Sequence, residues 1–163
     1  MPRVPYRPAD AAEPAALVEE IRARRGGRLF NLDRMLLHSP PYAEGWNTFV
    51  RRVREDLALP ERLAELLICA VAVLNDAPYE WHHHAPRLTA AGAAGAVLDA
   101  LAAGPEQWAD AAVFDATERA LLALARAMTE TIEVPDAVFE AARAALADER
   151  QLVEAVGVIA AYN

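Results

Sequence analysis

The stretch NDAPYEWHHH, residues 75–84, is the densest run of reactive side chains in the sequence. It contains three of the four histidines, directly after the pair Glu80–Trp81. Such a run suits three interpretations: a metal site, a general acid/base site, or a solvent-exposed run in which Glu80 pairs with Arg87. The positions of these side chains around a helix help to separate the three interpretations.

On a helix, Glu80 and His84 are four residues apart and share a face. His83 lies near that face, whereas His82 points about 100° away from His83. The three adjacent histidines therefore cannot converge on one point. A zinc or iron site would need Glu65 as a further ligand beside Glu80 and one histidine. An acid/base site needs only an imidazole held beside one or two carboxylates in an apolar pocket.

Glu65 is a carboxylate in the apolar part of a predicted helix. The segment LPERLAELLICAVAVLN, residues 59–75, has Pro60 near its first helical position and is apolar nearly all round after the first turn. It is therefore predicted to be a central buried helix. Because an unpartnered ionised carboxylate is expensive to bury, we expect Glu65 to have a partner, to hold a proton or to face a cavity.

The fold class is predicted to be all-α, because apolar residues recur at helical spacing and strand signals are scarce. Residues 1–13 contain several prolines and are predicted to form an extended arm, with a single all-helical domain over residues 14–163. A kink or break is expected at Pro86. Predicted helices cover residues 14–24, 28–39 (stopped by Pro40 and Pro41), 42–56, 59–75, 78 to about 91, 95–104, 115–132, 135–149 and 150–163.

Composition narrows the function classes. The net charge of −8 argues against nucleic acid as the main partner, because a phosphate backbone calls for a basic face. No window reaches the roughly 18 consecutive apolar residues of a membrane span. The single cysteine, Cys69, excludes an intrachain disulfide, and the N-terminus lacks the apolar stretch of a signal peptide. These features make the cytoplasm the expected location.

The pattern RLAELLICAVAVLNDAPYEWHHHAPRLTAAG resembles the carboxymuconolactone decarboxylase and alkylhydroperoxidase D-like superfamily. The flanking stretches NLDRMLLHSP, FDATERALLALARAMT and VPDAVFEA are similar to members of a branch marked by the letters YEW. The resemblance covers most of the chain from about residue 25 onward. It implies an alkylhydroperoxidase D-like helical bundle, assembled as a homo-oligomer such as a trimer or hexamer. It also implies an active-site pocket near subunit contacts and no required cofactor.

The peroxidase members of that superfamily carry a glutamate followed by a CxxCxxxH motif. On this sequence the glutamate falls on Glu65 and the histidine on His84, but Ala77 and Glu80 occupy the two cysteine positions. Thiol peroxidase activity is therefore not expected, since that chemistry needs an attacking and a resolving sulfur. The decarboxylase members lack the thiols as well, and they resemble this chain in keeping a glutamate four residues before the histidine.

The resemblance therefore implies a cofactor-independent, decarboxylase-like lyase that acts by general acid/base chemistry on a small carboxylated lactone or keto acid. His84 would be the proton donor or base, Glu65 would orient it, and Glu80 would be a second acid/base group. Candidate substrate-binding residues are His83, His38, Trp46 and Tyr79, with Arg34 and Arg87 as candidates for a substrate carboxylate. No metal is expected. The alternatives are a non-decarboxylating isomerase, dehydratase or cyclase, or a non-enzymatic oligomeric binding protein.

Overall fold

The computed structural model describes residues 2–163, which form helices and no strand, as predicted. The chain divides into two compact units, the second of which is Leu57–Asn163. Helices of the first unit are α1 (Ala15–Arg24), α2 (Asn31–Leu36) and α3 (Pro40–Glu55). Helices of the second unit are α4 (Glu61–Leu74), α5 (Pro78–Ala90), α6 (Gly95–Ala102), α7 (Pro105–Trp108), α8 (Ala116–Arg126), α9 (Asp136–Ala145) and α10 (Glu149–Tyr162), with a π-helical segment at Ala127–Thr131 after α8.

In the first unit the N-terminal arm lies against α2. The backbone N–H of Arg7 donates to the carbonyl of Arg34 at 3.3 Å, and Nε of Arg34 donates to the carbonyl of Arg7 at 2.6 Å. Nε2 of His38 lies 2.8 Å from the carbonyl oxygen of Pro5. Buried apolar residues of the first unit form a small core of Ala11, Val18, Ile21, Leu29, Leu37 and Ala43.

The centre of the second unit is α4, which packs against α5, α8, α10 and α6. All residues from Glu65 to Ala72 on this helix are buried, as its nearly continuous apolar sequence predicts. Two carboxylates hold neighbouring helices to the α4 region. Glu118 on α8 accepts from Nη2 of Arg62 at 2.6 Å, and Glu154 on α10 accepts from the backbone N–H of Leu59 at 2.7 Å. These contacts anchor α8 and α10 to the α4 region.

The structure differs from the prediction at two proline positions, one at the start of α3 and one inside α5. Pro40 and Pro41 form the first turn of α3, where the missing N–H groups would have had no partner inside the helix. Helix α5 continues through Pro86, so of the kink or break expected there the break is wrong. Pro86 has no N–H to donate to the carbonyl of His82, one turn earlier on α5. Because His82 and Pro86 are both exposed, water can hydrogen-bond to that carbonyl instead. Glu80, His84 and Arg87 consequently stay on one uninterrupted helix.

The stretch 115–132 is predicted as one α-helix, but its last turn is π-helical. It opens as expected with a capping box, in which Asp115 accepts from the N–H of Glu118 at 2.8 Å. After Arg126 the backbone follows the π-helical segment and then reaches Ile132, which has φ of 65°.

No helix among residues 2–163 is long and apolar enough to cross a membrane.

Candidate functional site

The candidate site lies in the second unit, between α4, α5 and α10. Glu65 on α4 is 4% exposed and His84 on α5 is 2% exposed, so the two side chains meet in the interior. Oε2 of Glu65 lies 2.6 Å from Nδ1 of His84. A carboxylate oxygen can only accept, so Nδ1 carries the hydrogen of this bond and Nε2 is left available for proton exchange.

Arg87 holds the other oxygen of Glu65. Its Nε lies 2.9 Å from Oε1 of Glu65, one helical turn beyond His84 on α5. The buried carboxylate therefore has a donor on each oxygen, which answers the expectation that Glu65 needs partners. Arg87 pairs here with Glu65, in contrast to the Glu80–Arg87 pair of the solvent-exposed interpretation. Arg87 thus holds the carboxylate of Glu65 in place, and Glu65 in turn orients the imidazole of His84.

Two polar groups lie near the opposite edge of the imidazole. Oη of Tyr162 on α10 is 3.3 Å from Nε2 of His84, and the two rings meet edge to face with centroids 5.1 Å apart. Oε2 of Glu80 is 3.6 Å from the same nitrogen, and its side chain is one-third exposed. The nitrogen that can exchange a proton therefore faces a phenol and a carboxylate that reaches solvent.

The structure thus brings together Glu65, Glu80 and His84, the three residues that the sequence singles out for catalysis. Sequence reasoning missed Tyr162, because it is distant in the chain and ends a helix with no motif around it. Tyr162 reaches the site because α10, the helix that it ends, packs against α4. Of the remaining candidates on α5, Tyr79 and His83 contact each other one turn apart, with ring centroids 4.4 Å apart.

The other candidates, His38, Trp46 and Arg34, belong to the first unit, where each contacts a neighbouring residue. His38 contacts the N-terminal arm, Trp46 packs on Tyr42 with ring centroids 6.3 Å apart, and the guanidinium of Arg34 stacks 5.0 Å from the ring centre of Tyr6. Their part in substrate binding stays a prediction.

A cleft of about 390 Å³ opens beside the start of α5. It includes Ala77, the residue that stands at the first cysteine position of the peroxidase motif, and Trp81, the neighbour of Glu80. Such a volume would hold a small molecule. No group of three or more His, Cys, Asp or Glu side chains among residues 2–163 is arranged to hold a metal ion.

The lone thiol, Cys69, is fully buried on α4, and burial, assisted by the nearby Glu65, raises its pKa to about 12. The thiolate is the reactive form, and its fraction falls about tenfold for each unit by which the pKa exceeds the pH. We expect Cys69 in the folded protein to react with an aromatic disulfide reagent at pH 8 at least about a thousandfold more slowly than after unfolding. Rapid modification of the native protein would contradict this and restore Cys69 as a reactive group.

Comparisons with known proteins bear on the fold and on the family of the chain. Over 99% of its length the chain superposes, with a TM-score of 0.77, on 83% of an uncharacterized peroxidase-related protein from Silicibacter sp. TM1040 of known crystal structure. The two sequences are 16% identical, so the likeness is one of fold. No curated protein matches the sequence. Residues 40–127, more than half of the chain and including both Glu65 and His84, match a family model, and the chain belongs to the carboxymuconolactone decarboxylase family.

Proposed function

We propose that the protein is a cofactor-independent proton-transfer enzyme of decarboxylase type, acting on a small lactone or keto acid that carries a carboxylate. The observation that carries the proposal is the buried Glu65–His84 pair, with Nε2 of the imidazole directed at Tyr162 and Glu80. An imidazole oriented by a carboxylate is a standard donor and acceptor of protons near neutral pH. Membership of the carboxymuconolactone decarboxylase family supports an enzyme-like function.

In the proposed reaction the bond between the carboxylate carbon and the α-carbon breaks, and its electron pair moves into the neighbouring carbonyl as an enolate. Carbon dioxide leaves, and the α-carbon then takes a proton from Nε2 of His84. Glu65 holds the imidazole and stabilises its protonated form, as in other carboxylate–histidine pairs. Glu80, through its negative charge, would disfavour the ionised carboxylate of the substrate and so promote its loss, or would return the proton from solvent to His84.

Thiol peroxidase chemistry fits these residues poorly. Ala77 and Glu80 stand at the two cysteine positions of the peroxidase motif, and Cys69 is buried on another helix. The absence of both thiols supports placing the chain in the thiol-less branch marked by YEW. The homo-oligomeric assembly and the ligand roles of His83, Tyr79, His38 and Trp46 are part of the same proposal.

The proposal is tested by incubating the protein with a panel of carboxylated γ-lactones and β-keto acids in deuterated water. Release of CO₂ with deuterium incorporated at the α-carbon, both lost in a His84→Asn variant, is the expected result. Deuterium exchange without CO₂ would replace decarboxylation by isomerisation or dehydration at the same site. Neither signal with any substrate of the panel would contradict acid/base chemistry on this class of compound.

Tyr162 is expected to contribute to turnover although it lies outside the motif. Replacing Tyr162 with Phe removes the hydroxyl 3.3 Å from Nε2 and should slow the reaction about tenfold, the worth of one hydrogen bond near 1.4 kcal/mol. The melting temperature should change little. Tyr42→Phe is the matched control, because Tyr42 is 58% exposed and should leave turnover unchanged. Equal rates in the two variants would remove Tyr162 from the site.

A further inference from the structure

The first unit concentrates positive charge in an otherwise acidic chain. Residues 1–56 hold ten of the sixteen arginines and eight acidic residues, whereas residues 57–163 hold six arginines and sixteen acidic residues. Four arginines of the first unit, on or next to two helices, form a group with one buried amide. This arginine cluster consists of Arg24, Arg25, Arg51, Arg54 and Asn47.

Contacts and spacing place the members of the arginine cluster together. Nε of Arg24, on α1, donates to Oδ1 of Asn47, on α3, at 2.7 Å. Asn47, Arg51 and Arg54 follow one another at spacings of four and three, so they share one face of α3. The electrostatic influence of Arg54 and Arg25 on Arg24 agrees with this grouping. Burial, with these two like charges, lowers the pKa of the Arg24 guanidinium, against the opposing effect of Asp33 and Glu55.

Asp33, which contacts the arginine cluster, is shared between two of its arginines. Oδ1 of Asp33 lies 3.3 Å from Nη2 of Arg25 and 3.8 Å from Nη2 of Arg24. Its other oxygen accepts the backbone N–H of Phe30 at 2.8 Å, which caps α2. One carboxylate therefore serves two guanidinium groups and a helix end.

Several donors of the arginine cluster are buried without a hydrogen-bond partner. They include Nη2 of Arg24, Nε of Arg25, Nε of Arg51 and Nδ2 of Asn47, and Asn47 as a whole is only 2% exposed. A buried donor left without an acceptor costs about 1–3 kcal/mol. All of these atoms are donors, so the group that would satisfy them is an acceptor with several oxygens.

We propose that the arginine cluster binds a small oxyanion, either a carboxylate or a phosphate group. Planar guanidinium groups match both kinds of oxyanion with paired hydrogen bonds, and the amide of Asn47 adds a neutral donor. The side chains of Arg24 and Arg25 remain 10% and 13% exposed, which gives the cluster contact with solvent. This site is distinct in its residues from the proton-transfer site and does not depend on the proposed function.

The test is a calorimetric titration of the full chain with inorganic phosphate and, separately, with succinate, at constant ionic strength because salt screens such contacts. Saturable binding of one anion per chain is expected, and the stronger of the two arms identifies the oxyanion class. Arg51→Gln should weaken binding at least tenfold. Arg52→Gln is the matched control, because Arg52 is one residue away on α3 and is engaged by Asp56 at 2.6 Å.

A second variant keeps the proposal testable if Arg51→Gln folds poorly. Asn47→Asp retains the acceptor for Arg24 and places a carboxylate of the same shape inside the cluster. It should raise the melting temperature in anion-free buffer and abolish binding of the added anion. Absence of saturable binding to the wild-type chain, equal weakening in Arg51→Gln and Arg52→Gln, or undiminished binding in Asn47→Asp would each overturn the proposal.

Discussion

His84→Asn is expected to lower the turnover of a proton-transfer substrate by about 10²–10⁴-fold, the usual contribution of a positioned general acid or base. The amide nitrogen of Asn takes the place of Nδ1 and can still donate to Glu65, so the buried carboxylate keeps its partner. What the variant loses is Nε2, the nitrogen near Tyr162 and Glu80. The measurement is initial CO₂ release, or α-carbon deuteration, per folded molecule.

The triple histidine supplies its own control for this experiment. His82 is exposed on α5 and contacts the ring of His83, with centroids 5.2 Å apart. His82→Asn makes the same substitution two residues away from His84. Surface substitutions usually change free energies by no more than about 0.5 kcal/mol, so turnover should stay within about twofold of the wild type. If His82→Asn and His84→Asn reduce turnover alike, the site does not depend on the Glu65–His84 pair.

The sequence could predict the central part of this site because local patterns decide it. An apolar helix with one carboxylate forces that carboxylate to find a partner, and the spacing of Glu80 and His84 puts both on one face of α5. The sequence does not decide which carboxylate pairs with Arg87. Both Glu80 and Glu65 are carboxylates, and only the packing of α4 on α5 brings Glu65 to Arg87.

The missed features have tertiary or context-dependent causes. Tyr162 approaches His84 from a helix 78 residues further along the chain, and no local signal encodes that approach. The pair Pro40–Pro41 is compatible both with the end of one helix and with the start of the next, since proline fits a first helical turn. The π-helical segment after α8 has the composition of an ordinary helix.

Glu65→Ala is expected to destabilise the second unit. Glu65→Ala leaves Nδ1 of His84 and Nε of Arg87 without their acceptor, at 2% and 42% side-chain exposure respectively. The free energy of unfolding should fall by about 2–4 kcal/mol, somewhat below the full effect of breaking a buried ion pair because Arg87 reaches water. Urea denaturation followed by circular dichroism measures the change.

Glu65→Gln separates the role of Glu65 in the fold from its role toward His84. Arg87 donates to one oxygen of Glu65, so in the variant the amide oxygen should face Arg87 and the amide NH₂ should face Nδ1 of His84. Nδ1 must then accept, and the hydrogen moves to Nε2. Nitrogen NMR of the imidazole should show this exchange of tautomer, and turnover should fall by up to about 10⁴-fold, the effect seen when the acid of a catalytic triad becomes an amide.

Glu118→Gln is the matched control for Glu65→Gln, because Glu118 is also a buried carboxylate, 2% exposed and bound by Arg62, but has no histidine beside it. Both variants should lose about 1–3 kcal/mol of stability, the cost of a buried hydrogen bond to a charged group. Only Glu65→Gln should change the tautomer of His84 and the turnover per folded molecule. Equal turnover in the two variants would make Glu65 a structural carboxylate, since stability alone would then account for its burial.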